Sequence, residues 1–287
     1  MNIKRALILY KKSAYSIYFQ HPRSSFRNCG KIDASELERF HKMHLKHAAC
    51  LAHVQRGLKD SDVKFDTICR GRAFNPEQYC LVVTVGGDGT FLEAAHRLRD
   101  QLILGVNSDP SWSVGRFCFA TFLNFKKILQ GLLKQKQSIL NFPRLKLSLT
   151  GKKINFLNDV LFCHRNPAAM SRYSLKIGKI QEEQKSSGVW VSTAAGSSGA
   201  IKSAGGKELS ATKDILQYKP RELYLKKHKG YILKGGILPH SQTFQILSMM
   251  RDGCVFIDGS HLSLSFDFGS VAVISRSLSP LRVVSGK

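Results

Sequence analysis

Leu81-Val82-Val83-Thr84-Val85-Gly86-Gly87-Asp88-Gly89-Thr90-Phe91-Leu92-Glu93-Ala94-Ala95 decides the fold: a strand-like apolar run, a glycine-rich turn, then a helix-like run. Glycines leave room for a nucleotide backbone to approach, and the open N–H groups at a helix start form an anion site. The turn is therefore expected to handle phosphate. Asp88 conflicts with that unless it meets Mg²⁺ or a substrate hydroxyl, and both belong to phosphoryl transfer. Two familiar nucleotide motifs are excluded. The turn lacks the Gly-Lys-Ser/Thr of a P-loop, and Leu92 stands where a dinucleotide fingerprint needs its third small residue. The plainer alternative is a tight strand-to-helix turn in which Asp88 merely caps the helix.

Outward from this turn, the first half of the chain alternates strand and helix signals. Strands are expected at Ala6 to Tyr10, Val63 to Ile68, Leu81 to Val85 and Leu102 to Val106. Helices are expected at Ala34 to Lys59, Thr90 to Leu98 and Phe122 to Lys136. That order means α/β: a parallel sheet covered by helices, with its ligand at the carboxyl ends of the strands, where Gly86 and Asn107 lie. From about Phe142 short alternating segments take over, at Leu145 to Leu149, Ser174 to Ile177, Gly188 to Ser192, Val255 to Ile257, Leu262 to Phe266 and Val271 to Ile274. This half reads as mainly β, with Ser210 to Pro239 poorly patterned and loop-rich. The expected division is residues 1–140 for the α/β domain and 141–287 for the β domain, the last strand being left open to return to the first.

At 287 residues the chain suits two medium domains, and its hydrophobic fraction of 43% and charged fraction of 22% are those of a folded globular protein. Lys and Arg number 44 against 20 Asp and Glu, a formal charge of +24 that draws polyanions. The basic residues are spread along the chain with few aromatics among them, so a solvated basic surface is expected and no dedicated nucleic-acid site. Seven widely spaced cysteines without a Cys-x-x-Cys pair suit a reducing cytoplasm. The apolar run Ala6 to Tyr10 is too short for a secretory or membrane segment. A cytoplasmic location without a membrane partner is expected, or an organellar matrix if a transit peptide has been removed.

Two further clusters carry chemistry. Asn158-Asp159 interrupts the apolar run Ile154 to Phe162. Burying such a pair is costly unless it is matched, and an amide beside a carboxylate offers both donor and acceptor to ribose hydroxyls. The alternative is a bulge or turn. Ser186 to Ala200, continuing to Ser203-Ala204-Gly205-Gly206, is rich in small hydroxylated residues that let a nucleotide lie against backbone. A flexible linker is the alternative, against which the alternation Val189-x-Val191 speaks.

With the GGDGT loop, the Asn-Asp pair and the Ser-Thr-x-x-Gly-Ser segment in this order and spacing, the chain resembles the NAD kinase family over nearly its whole length. Gly105-Val106-Asn107-Ser108-Asp109-Pro110 and Lys185-Ser186-Ser187-Gly188 are most similar to the mitochondrial and plant NADH-kinase-like branch. The resemblance implies a Rossmann-like, phosphofructokinase-like first domain and a mainly β second one. It implies phosphorylation of the adenosine ribose 2′-hydroxyl of NAD or NADH by ATP, with Mg²⁺ or another divalent cation held mainly through nucleotide phosphates. By position, Asp88 would be the base, and Gly86, Gly87, Gly89 and Thr90 would line the phosphate path. The NAD contacts would be Asp88, Gly89, the ribose-holding Asn158 and Asp159, then Ser198, Gly199 and Ser203 at the adenosine, and Asp258 of a later Asp-Gly element. A homodimer or larger assembly is implied too, and polyphosphate is left open as donor. Ser198-Gly199-Ala200 departs from the Thr-Ala-Tyr of many members, and Ser187 replaces an acidic residue. Both departures recur in the branch named above and bear on NAD against NADH.

Three features stay outside this scheme. His41, His44 and His47 repeat every third residue on a helix, but successive ligands would rotate around it, so a solvated basic face is expected rather than a metal site. Trp112 and Phe117 flank Gly115-Arg116 and suit either a nucleotide pocket or the core. The glycine loop and two-domain plan are also similar to diacylglycerol and sphingosine lipid kinases, the competing enzyme reading. A non-enzymatic nucleotide- or nucleic-acid-binding protein would rest on net charge alone.

Overall fold

Strands covered by helices on both faces have no polar side, and β3 (Leu81–Gly86) and β4 (Leu102–Asn107) are buried at every position. They pair in parallel in the computed structural model, which describes residues 3–20, 32–224, 230–239 and 241–286. β1 (Arg5–Tyr10) lies beside β3, and β2 (Lys64–Cys69) beside β1, all parallel. On the other side β5 (Ala120–Thr121) pairs with β4, and β6 (Ile139–Phe142) ends the sheet. The helices are α1 (Ala34–Asp60), started by the Asp33 side chain accepting the Ser35 N–H, α2 (Asp88–Ala95) and α3 (Phe125–Leu133). α2 begins two residues before the expected start. Its N-cap is Gly87, so Asp88 lies inside the first turn and is no cap.

The second unit is two six-stranded antiparallel sheets. One runs β11 (Ile180–Ser186), β10 (Ser171–Ile177), β15 (Phe244–Ser248), β18 (Val271–Arg276), β7 (Leu145–Leu149), β8 (Lys152–Phe156). The other runs β14 (Gly236–Pro239), β13 (Ile215–Pro220), β12 (Val189–Thr193), β9 (Asp159–His164), β16 (Gly253–Ile257), β17 (Leu262–Ser265) in the same sense of neighbour order.

 One buried core draws on both sheets, from Leu147 and Tyr173 to Val191 and Val255. The apolar run from Ile154 to Phe162 is not one strand: it breaks at Leu157-Asn158, with β8 and β9 in different sheets. Ser210 to Pro239, expected as loop, contains β13 and β14. β13 gains its place from pairing with β12 and from burial of Leu216 and Tyr218, tertiary effects that its Lys and Pro conceal.

The chain divides into Met1–Leu140 with Arg282–Lys287, and Asn141–Leu281. The last strand, β19 (Leu281–Val284), pairs in parallel with β4, which returns the end of the chain to the first sheet. No helix among the described residues is long and apolar enough to cross a membrane. Six cysteines are described and all are free thiols, while Cys29 lies outside the described residues.

Candidate functional site

In the order β2-β1-β3-β4 the chain leaves β1 on one side and returns on the other. The switch point, where doubly wound sheets take their ligands, therefore lies between the carboxyl ends of β1 and β3. A cavity of about 200 Å³ opens there, lined by Lys11, Ser13, His47, Gly86, Asp109 and Trp112 among others. Asp88, two residues after Gly86, has both carboxylate oxygens engaged: they accept the N–H of Arg116 at 2.9 Å and of Phe117 at 2.8 Å. Phe117 is buried and stacks on Phe91 at 5.4 Å, which anchors that contact in the core. Asn107 shapes the intervening loop, donating to Ser113 O at 2.8 Å and accepting the Asp109 N–H at 3.1 Å.

The first turn of α2 leaves the N–H groups of Asp88 and Gly89 without an intrahelical acceptor, whereas Thr90 and Phe91 both donate to Gly87 O. Gly89 is exposed and Gly87 half-buried, so an anion can reach this turn. Thr90, expected along the phosphate path, is buried. Its hydroxyl is buried against Gly86, so close that a Cβ there would collide with it, and the helix turn points it inward.

Of the three histidines His41 is exposed as expected, whereas His44 is half-buried and His47 departs from the expected solvated face. His47 is buried, with Nδ1 2.9 Å from Ser108 Oγ, and His44 Nδ1 lies 2.8 Å from Ser13 Oγ. The segment after β1 and the loop after β4 cover this side of α1, and burial, reinforced by Lys11, pushes the His47 pKa down to about 4. Trp112 is exposed beneath the Arg39 guanidinium and belongs to the cavity wall, whereas Phe117 belongs to the core. Lys11, Ser13 and His47 were not singled out from sequence as cavity residues. The rule that marked Gly86 and Asn107, position at a strand's carboxyl end, would have marked Lys11 and Ser13 as well.

In the second unit the Asn158-Asp159 corner is built from main chain. Asp258 accepts the N–H groups of Leu157 at 3.0 Å, Asn158 at 2.6 Å and Asp159 at 3.1 Å, and its own N–H donates to Asp159 O at 2.8 Å. Asp258, expected among the NAD contacts, holds this corner in place through the backbone N–H groups its oxygens accept. Ser192 Oγ and the Thr193 N–H both donate to Asn158 O, at 3.1 and 3.0 Å. Gly196 passes so close to the Asn158 carbonyl that a side chain there would overlap it.

The corner aims its side chains at the Gly-Ser turn. A Cβ on Gly199 would lie 3.5 Å from Asn158 Nδ2 and 3.6 Å from Asp159 Oδ2. Asp159 is buried, and desolvation, with the negative charge of Asp258 adding to it, pushes its pKa up to about 7. Asn158, Asp159 and Gly199 thus converge, with Ser198 half-buried beside them. Ser203 sits a turn further on, at the end of α4 (Ala200–Ser203), in an open hollow of about 590 Å³ shared with Trp190 and Arg221. Among the described residues no group of three or more His, Cys, Asp or Glu is placed to hold a metal.

Comparison with known proteins adds to this geometry. A family model described as the ATP-NAD kinase N-terminal domain matches residues 28–136. A protein of Oryza sativa subsp. japonica named Probable NADH kinase is 32% identical over 252 residues, covering 79% of this chain and 78% of its own. The structure of an NAD kinase from Archaeoglobus fulgidus in complex with ATP matches with a TM-score of 0.72 at 22% identity, over 99% of this chain and 94% of its own. Yeast NADH kinase complexed with NADH matches with a TM-score of 0.74 at 17% identity, over 100% and 85%. The two structural likenesses show the fold.

Proposed function

The chain belongs to the NAD kinase family, and on that premise we propose that it transfers the γ-phosphate of ATP to the adenosine ribose 2′-hydroxyl of NAD or NADH. Membership removes the lipid-kinase reading. One observation carries the mechanism: a carboxylate fixed by two backbone N–H groups stands on the same helix turn as two open N–H groups. The first can take a proton and the second can receive phosphate. A ribose hydroxyl is a weak nucleophile at neutral pH, so a carboxylate must accept its proton as the oxygen attacks the γ-phosphorus. Asp88 does this with the lone pairs its two N–H donors leave, and ADP departs with the electrons of the broken β–γ bond.

Gly86, Gly87 and Gly89 give the donor phosphates access to the turn, and Thr90 supports it from beneath. Asn158 and Asp159 orient the ribose, Ser198, Gly199 and Ser203 meet the adenosine, and Asp258 holds the corner that presents them. Mg²⁺, carried on the nucleotide phosphates, supplies charge neutralisation when bound. ATP as donor is supported by the description of the matching family model and by the ATP complex of the archaeal kinase. NADH as an acceptor is supported by the rice relative's name. We assign a homodimer or larger assembly and a reducing compartment, the latter supported by the free thiols.

The test uses purified protein with Mg-ATP and either NAD or NADH, scored for NADP or NADPH. Asp88→Asn is expected to lower turnover by about 10²-fold to 10⁴-fold while NAD binding persists. Near-normal turnover in that variant would refute Asp88 as the base, and absence of product from the unaltered protein would refute the function.

A further inference from the structure

Phosphoryl transfer calls for a cation facing the transferred group. Arg70 follows β2 at the carboxyl edge of the sheet, its N–H bonded to Tyr10 O at 2.9 Å. Its Nε donates to Glu93 Oε2 at 2.8 Å, while Glu93 Oε1 accepts the Gly71 N–H at 2.6 Å. Glu93, on α2, therefore fixes both the guanidinium and the backbone that carries it. The two side chains are only 21% and 20% exposed.

The other edge of the guanidinium turns to the glycine loop. Nη1 lies 3.5 Å and Nη2 3.9 Å from where a Cβ on Gly89 would stand, so the group rests over the turn whose Asp88 and Gly89 N–H are open. No described residue accepts a hydrogen bond from Nη1 or Nη2. An arginine that serves structure alone commonly spends its fork on a carboxylate in two parallel bonds. Arg70 gives Glu93 only Nε and keeps for the loop the planar pair that matches phosphate oxygens.

We propose that Arg70 is a catalytic residue of the phosphoryl transfer, binding the donor's terminal phosphates through Nη1 and Nη2, and that Glu93 is its positioning residue. The proposal rests on the kinase function above. As the ribose oxygen bonds to the γ-phosphorus and the β–γ oxygen bond breaks, the hydroxyl proton passes to Asp88 and ADP keeps the bond electrons. Arg70 stays protonated and neutralises the charge on the group in flight.

The experiment compares unaltered protein, Arg70→Ala, Arg70→Lys and Glu93→Gln for kcat, the KM of each substrate, NAD affinity and thermal midpoint. Arg70→Ala is expected to lose about 10³-fold in kcat, with NAD affinity held within about threefold and partial recovery in millimolar methylguanidinium. Arg70→Lys should recover little, because a point charge cannot reproduce the fork, and Glu93→Gln should fall between. A kcat in Arg70→Ala within threefold of normal overturns the proposal. So does a loss that tracks a lowered thermal midpoint and is not rescued by methylguanidinium. Should Arg70→Ala fail to fold, near-normal kcat in Arg70→Lys overturns it equally. Unaltered protein that makes no NADP or NADPH would instead sink the kinase reading beneath it.

Discussion

Asp159→Asn should make the protein more stable, and by an amount that depends on pH. Burial raises the Asp159 carboxyl from 3.8 to about 7, and at about 1.36 kcal/mol per tenfold change in proton affinity this amounts to about 4 kcal/mol. The sign follows from linkage. A carboxyl that binds its proton more tightly in the folded state stabilises the fold most below pH 3.8, and that contribution is lost as pH rises to about 7. Asparagine keeps the shape and never ionises. Its advantage over Asp159 should be near zero at pH 4, about 2 kcal/mol at pH 5.5 and about 4 kcal/mol above pH 7. Of the two tryptophans, Trp190 lies on β12 opposite Leu161 of β9, the strand that begins with Asp159. In a Trp112→Phe background, Trp190 fluorescence during urea unfolding at several pH values therefore reports the relevant unit. A stability gap that does not widen with pH, or an asparagine variant less stable at pH 8, would refute the reasoning. Turnover should move the opposite way, because the variant lacks the carboxylate that we propose orients the ribose.

His47 carries the opposite linkage. Its pKa, depressed from 6.5 to about 4, means that stability is present above pH 6.5 and is lost as pH falls toward 4, by about 3 kcal/mol in all. His47→Gln should flatten that acid limb in urea titrations, and an unchanged limb would contradict the burial argument. Gly196→Ala should force the Asn158 carbonyl away and cost about 1–3 kcal/mol as an overpacked site. NAD affinity should drop with it, and an alanine variant with normal stability and affinity would show that the contact yields easily.

What could be read from the residues follows from how local each signal is. β3 and β4 declare themselves because unbroken apolar runs ending in glycine or asparagine have few other readings. β7 and β18 do so through alternation. β11, Ile-Gln-Glu-Glu-Gln-Lys-Ser, carries no such pattern, since an edge strand held by seven paired positions of β10 needs little apolar surface of its own. The role of Asp258 was equally hidden. Its partners lie about a hundred residues earlier and are backbone N–H groups, which have no residue type to recognise. His47 was misread because a helix face is polar or buried according to what covers it, and here distant loops do.

The three aspartates show how the chain divides stability from function. Asp88 and Asp258 each receive backbone N–H donors, so the fold itself occupies their oxygens and fixes their positions. Asp159 receives none on its side chain from the described residues, is buried, and faces the charge of Asp258. A carboxylate kept in that state costs stability at neutral pH, and a core of this kind would be better served by an amide. A ligand whose hydroxyls donate to Asp159, as in the function proposed above, would supply the hydrogen bonds the protein withholds. Binding of such a ligand and ionisation of Asp159 are then linked, so the energy gained on closing those bonds is larger than an already satisfied carboxylate could offer. On the proposed role of Asp159, an acceptor without those hydroxyls would leave a buried charge unmatched.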